Sequence, residues 1–191
     1  MKQERFSPSY SSKRIIKYQG AVIWLTGLSG AGKTTIGDGL AKLLSTKKIP
    51  VERLDGNLVK GCFGPRANFK RMDHEFNVRI AAFVASLLEQ HGIFTITSFI
   101  SPHKKQRDLA RSVSKNFIEV YINTPLDTCI KRDVKGYYKR ALNGALKYFP
   151  GIAYPYEVPT KPDLTINTHT MNVKASVAMI YDYLRQKQLL Q

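Results

Sequence analysis

The chain has 191 residues, 43% of them hydrophobic and 23% charged, which suits one globular domain with a proper core. Its 30 Lys and Arg outnumber 14 Asp and Glu, and the net charge of +16 concentrates anions such as nucleotides, nucleic acid or a membrane surface. The longest apolar run, Ile80 to Leu88, is too short to cross a bilayer, MKQERFSPSYSSKRIIKYQG lacks the apolar segment of a secretory signal, and Cys62 and Cys129 make no disulfide framework.

Residues 1–19 read as a basic, flexible tail, and residues 20–191 as a single domain. In chain order, AVIWLT (21–26) is a buried strand that ends at a glycine. A helix follows over 34–46, with Ile36, Leu40, Leu43 and Leu44 as its apolar stripe. VERLD (51–55) is the second strand, and a polar, glycine-marked loop runs on to about Met72. Asp73 is placed to cap the next helix, with Phe76, Ile80, Phe83, Val84, Leu87 and Leu88 as its stripe and His91-Gly92 as its end. IFTITSFI (93–100) is a third strand, KQRDLARSVS a basic helix and FIEVYI (117–122) a fourth strand. A short helix at PLDTCIKRD (125–133), a Tyr- and Lys-rich segment to Phe149 and a Pro-rich loop lead to a fifth strand, LTIN (164–167). The last helix carries Val173, Val177, Ile180 and Leu184 on one face. Strands alternating with helices imply an α/β fold, a five-stranded parallel sheet with helices on both faces.

Between the first strand and its helix lies Gly27-Leu28-Ser29-Gly30-Ala31-Gly32-Lys33-Thr34, which fits G-x-x-x-x-G-K-[ST] in the strand–loop–helix setting that the motif needs. Glycines let the backbone curl so that N–H groups surround phosphates, and the helix adds the positive end of its dipole. Lys33 is assigned to the β- and γ-phosphate oxygens, and the Thr34 hydroxyl, next to Thr35, to Mg²⁺. The motif therefore predicts binding of ATP or GTP with Mg²⁺.

In an open parallel sheet, ligands collect at the carboxyl ends of the strands. Asp55, closing the second strand, is the candidate to take a proton from an acceptor hydroxyl or to orient the metal ion through water. Ser98 to His103 lies beside it, after the third strand. The cations Lys131, Arg132, Lys135, Lys139 and Arg140 suit a mobile cover that neutralises transferring charge. The basic segments 102–115 and 129–147 do not interleave aromatics at base-stacking spacing and hold no nucleic-acid motif, so nucleic acid is not the expected partner.

LTGLSGAGKTT, LDG, ITSFISPH, FIEVYINTPLDTC, KRDVKGYYKRA, FPGIAYPYEVP and KPDL together resemble the adenylylsulfate (APS) kinases, from about Ala21 to the final helix. The resemblance implies an adenylate-kinase-like P-loop fold and phosphorylation of adenosine 5′-phosphosulfate by ATP at its 3′-hydroxyl. It also implies a sulfate-assimilation role and commonly a homodimer, while the two thiols read as ordinary reduced cysteines of a cytoplasmic protein. Carried over by position, Asp55 matches the catalytic aspartate, and Phe69 and Phe149 two aromatics that sandwich the acceptor's adenine. Asn77 matches an acceptor-binding asparagine, Ile100 and Ser101 the segment lining that site, and Ser101 a serine labelled a phosphorylated intermediate. Nothing in the sequence activates Ser101 as a nucleophile, and direct in-line transfer is the simpler scheme. Arg132 matches a residue packed on the ATP adenine, and Lys135 to Arg140, with Lys139, the lid.

The pattern departs where the family's D-G-D-x-[VI]-R reads DGNLVK, with Asn57 and Lys60, and where a D-R pair reads Asp73-His74. The two arginines replaced by Lys60 and His74 grip the phosphosulfate in the family. Lysine lacks the bidentate fork, and histidine is mostly neutral at pH 7. Arg66, Lys70 and Arg71 offer compensating charge. Three other readings stand beside an APS kinase: a 3′-kinase of another 5′-modified nucleotide such as a cytidine diphospho-compound, a non-catalytic nucleotide sensor, and a nucleic-acid binder.

Overall fold

The structure, a computed structural model, describes residues 18–56 and 71–190, with the backbone alone for 71–74. Five strands, β1 (Ala21–Thr26), β2 (Val51–Asp55), β3 (Phe94–Ser98), β4 (Phe117–Asn123) and β5 (Leu164–Asn167), form one sheet in the order β2-β3-β1-β4-β5. Every pairing is parallel. Among the described residues the helices are α1 (Lys33–Thr46), α2 (Arg71–Gln90), α3 (Lys104–Val113), α4 (Leu126–Arg132), α5 (Tyr137–Leu142) and α6 (Val173–Gln186).

The central strand β1 is buried along its whole length, and its alternation divides the core. Ile23 and Leu25 point into a cluster with Ile36, Leu40 and Leu44 of α1 and Ile180 and Leu184 of α6. Val22 and Trp24 point the other way, toward Val78, Ala81 and Ala85 of α2 and Ala110 of α3. Trp24 stacks on Phe99 at 5.5 Å and lies 6.0 Å from Phe117. Tyr18, ahead of the sheet, rests edge-on against Phe94 at 6.2 Å.

The second cluster explains where the stripe assigned to α2 differs from the structure. The helix buries Val78, Ala81, Ala82 and Ala85, while Phe83 and Leu87 are exposed. The indole and two phenyl rings fill the space over the sheet, so the helix that packs there presents its smallest side chains. Its larger residues turn away, although their spacing fits a core-facing stripe equally well. The helix already includes Arg71, so Asp73 lies within it instead of capping it. Similarly, β3 is shorter than the run 93–100: Phe99 turns into the second cluster, and Ile100 and Ser101 form the wall of the site.

Candidate active site

The loop between β1 and α1 curls through positive φ at Gly30 (73°) and Gly32 (107°), a region that costs residues with a Cβ. Lys33, the first residue of α1, is buried. Its Nζ donates to the carbonyls of Gly27 (2.9 Å) and Leu28 (2.7 Å). Burial drives its pKa from 10.5 down to about 8, against partial support from the Cys129 thiol and the Asp55 carboxylate, while Lys135 opposes the charge. Burial likewise pushes the Cys129 thiol up.

Asp55 closes β2 directly across from this loop. The Thr34 hydroxyl donates to its Oδ2 at 2.9 Å, a contact between residues 21 apart in sequence. Two hard oxygen ligands side by side, open to water and to incoming phosphates, are the donor set that Mg²⁺ takes. Among the described residues no cluster of three or more His, Cys, Asp or Glu offers a competing metal site.

One cavity of about 700 Å³ joins these groups to the rest of the expected site. Its wall includes Ser29, Gly30, Lys33, Thr34, Thr35 and Asp55 at the phosphate end. Asn77, Ile100, Ser101, Lys135 and Phe149 line it as well, alongside Arg132. Gly27, Leu28 and Ala31 shape the loop from behind without lining the cavity. Lys139 also stays out of the wall: it is exposed on α5, and its backbone N–H donates to Asp133 at 3.0 Å. Lys60 and Phe69 lie outside the described residues. His74 falls in α2, but its side chain lies outside them as well.

Three side chains have surroundings that bear on the chemistry. Ser101 is 2% exposed and has φ 40°. Its Oγ accepts from Trp24 Nε1 at 2.9 Å and donates weakly to the Phe99 carbonyl at 3.4 Å. Among the described residues no base hydrogen-bonds to its hydroxyl, so this geometry offers no route to a serine nucleophile. Ser101→Ala is therefore expected to keep turnover within about tenfold and to lower stability by roughly 1–3 kcal/mol through the orphaned indole N–H. Kinetics and thermal melts check both, and a phosphorylated intermediate trapped on Ser101 would contradict the assignment. Phe149 is both core and wall: it packs edge-on against Tyr138 at 5.0 Å, is 3% exposed and turns part of its surface to the cavity. Arg132 donates to the carbonyls of Gly30 (3.2 Å) and Thr168 (3.1 Å), which ties the loop to the segment after β5.

Several residues of the site carry no sequence signal of their own. Thr168 donates to the Ala31 carbonyl at 2.9 Å and lines the cavity. The Tyr138 hydroxyl holds the Ser29 carbonyl at 2.9 Å. Gln106, 5% exposed, lines the wall while accepting from the His103 N–H at 3.2 Å. A threonine after a strand or a tyrosine among lysines marks nothing until the fold brings it to the loop.

Comparison with known proteins agrees with this geometry. The family model for adenylylsulphate kinase matches residues 19–167. The adenylyl-sulfate kinase of Halothermothrix orenii is 44% identical over 169 residues, covering 88% of this chain and 91% of the relative. That of Clostridium acetobutylicum is 41% identical over 189 residues, covering 98% and 94%. The APS kinase CysC of Mycobacterium tuberculosis, solved in complex with AMPPNP and APS, superposes with a TM-score of 0.82 at 34% identity, over 87% of this chain and 98% of that one. The chain belongs to the adenylylsulfate kinase family, whose members are P-loop kinases that transfer phosphate to adenylyl sulfate.

Proposed function

We propose that this chain transfers the γ-phosphoryl group of ATP to the 3′-hydroxyl of adenosine 5′-phosphosulfate, with Asp55 as the group that receives the hydroxyl proton. The observation that carries the reading is the 2.9 Å contact between Thr34 and Asp55 within a cavity that also includes Lys33 and Phe149. The ribose oxygen attacks the γ-phosphorus as the bond to the β–γ bridging oxygen breaks. ADP leaves, and the proton passes to the Asp55 carboxylate. Lys33, held at the loop, counters charge on the β- and γ-phosphate oxygens as it shifts toward ADP. Arg132 and Lys135 border the same cavity from the segment after β4, and Lys139 of that segment is assigned to the lid that closes over bound nucleotide. Thr34 and Asp55 are the residues that would hold Mg²⁺, which would supply charge neutralisation and orientation of the phosphates.

On the acceptor side, the reading assigns the adenine to Phe149 together with Phe69, the ribose to Asn77 and the Ile100–Ser101 turn, and the phosphosulfate to Lys60 and His74; of these, Asn77, Ile100, Ser101 and Phe149 line the cavity. Lysine in place of a guanidinium grips this anion as a point charge without the bidentate fork, so acceptor affinity depends on salt. The compartment this reading implies is the cytoplasm, where ATP is supplied and Cys129 stays reduced. The assembly it implies is a homodimer, for which exposed Phe83 and Leu87 on α2 offer an apolar face; light scattering gives the mass that tests it.

Coupled ADP-release assays with a nucleotide panel test the function. The highest kcat/KM is expected for adenylyl sulfate. A far higher value for a pyrimidine nucleotide would assign the rewritten clamp to another acceptor, and no ADP release with any acceptor would leave only a sensor.

A further inference from the structure

The group assigned to catalysis sits at an exposed end of the sheet. Among the described residues β2 is an edge strand, paired with β3 alone and only half-buried, and Asp55 is its last residue. Its direction on leaving the sheet sets where the carboxylate meets Thr34. Two residues earlier on the same strand, and therefore on the same face, stands Arg53. Its Nε donates to Asp38 Oδ1 of α1 at 3.0 Å. Its Nη1 donates to Ser98 Oγ at 3.0 Å and to the Ile96 carbonyl at 3.2 Å, both on β3. Its Nη2 lies 3.5 Å from the Thr34 carbonyl. One planar fork thus ties the edge strand to the neighbouring strand and to the first turns of α1. Ser98 is the residue paired with Asp55 in the sheet register and lines the cavity with it.

The packing around the fork is specific. A Cβ built at Gly37, in α1, would sit 2.1 Å from Arg53 Nη1 and 2.5 Å from Cζ. Glycine is a poor helix residue, so its place inside α1 is accounted for by the guanidinium that it admits. The Asp38 pair is not the reason for the arrangement, because Asp38 is 64% exposed and such surface pairs contribute little. The part-buried bonds to β3 remain.

We infer that Arg53 is a positioning residue for the Asp55–Thr34 pair, and that Gly37 is the notch that holds its guanidinium in place. The inference rests on the proposed role of Asp55. Arg53 is not part of the cavity wall. It fixes the exit of β2 so that the carboxylate and the Thr34 hydroxyl stay in register, which is the kind of placement whose loosening slows transfer without weakening binding.

The test is a set of four variants, Arg53→Leu, Arg53→Lys, Gly37→Ala and the double Gly37→Ala/Arg53→Leu, followed by kcat, KM for ATP and acceptor, and thermal melting. Arg53→Leu is expected to lower kcat by about 10- to 100-fold with both KM values within about threefold. Gly37→Ala, which displaces the fork, is expected to reproduce that loss. Arg53→Lys keeps the charge and most of the stem, and serves as the second variant if Arg53→Leu fails to fold. It cannot span α1 and β3 at once, so its kcat is expected to stay low. In the double variant the alanine methyl occupies space vacated by the guanidinium, so the melting temperature recovers relative to Arg53→Leu while kcat does not. Native kcat in Arg53→Lys or Arg53→Leu would overturn the inference. So would recovery of kcat together with melting temperature in the double variant, which would mark a packing role. If Asp55→Ala itself retains turnover, the reading of the site fails instead. If Asp55→Ala is inactive and the Arg53 variants are not, the inference alone fails.

Discussion

Lys33→Met is expected to lower kcat/KM by about 10²- to 10³-fold or more, the loss typical of removing one preorganised donor from developing charge. The side chain has no substitute in the loop. Among the described residues, the other cations of the wall are Arg132 and Lys135, which come from beyond β4. The variant is also expected to be more stable than the native chain when no nucleotide is bound. Burial lowers the Lys33 pKa from 10.5 to about 8, so holding the ammonium in the empty loop costs about 3 kcal/mol at neutral pH. The sign follows from proton counting. Between about 8 and 10.5 the unfolded chain keeps this proton and the folded chain has lost it, so the native protein gains stability as pH rises through that window. The penalty is fully present below about 8. Methionine carries no charge and removes both the penalty and its pH dependence. Affinity for ATP runs the opposite way: the polyphosphate needs the ammonium, so the native Kd should weaken as pH rises above about 8, and the Lys33→Met Kd should lack this trend. Titrations of an ATP analogue from pH 7 to 10 and melts over the same range provide the check. A native protein whose ATP affinity is flat across that range would refute the assignment.

Asp55→Ala is the second large effect. It is expected to reduce kcat by about 10²- to 10⁴-fold, the range for a positioned general base, while ATP binding changes little. The separation arises because the loop grips the triphosphate through Lys33 and its own backbone, whereas Asp55 arrives from another strand and meets the loop at Thr34. Asp55→Asn keeps the shape and can still accept from the Thr34 hydroxyl, so it isolates the charge. Its kcat should fall nearly as far as that of Asp55→Ala. Turnover near the native rate in either variant would remove Asp55 from its assigned role.

The sequence shows the phosphate loop completely, because the motif is local: four defining positions fall within eight residues, between a strand and a helix. Asp55 is legible for a related reason, since the end of a parallel strand is where ligands gather. The site's supporting residues are not. Arg53 reads as a charge on an edge strand, and Gly37 as a weak point in a helix. Only the contact between them, 16 positions apart, gives either a meaning. The face of α2 was ambiguous for a different reason. Its sequence offers a bulky stripe and a small-residue stripe, and the choice is made by Trp24 and Phe99 on other elements. Periodicity cannot say which of two apolar faces a neighbour has room for. Ser101 shows the converse case, in which a position matched by motif turns out to have its hydroxyl held by the core.

That hold gives the protein an optical reporter of its own. Trp24 is the sole tryptophan of the chain, and its indole hydrogen ends on the hydroxyl of a residue in the cavity wall. Emission from the intact, unlabelled molecule therefore originates one hydrogen bond from where the acceptor nucleotide is expected to rest. A change in its wavelength or lifetime when nucleotide is added would follow occupancy directly, without dye or mutation.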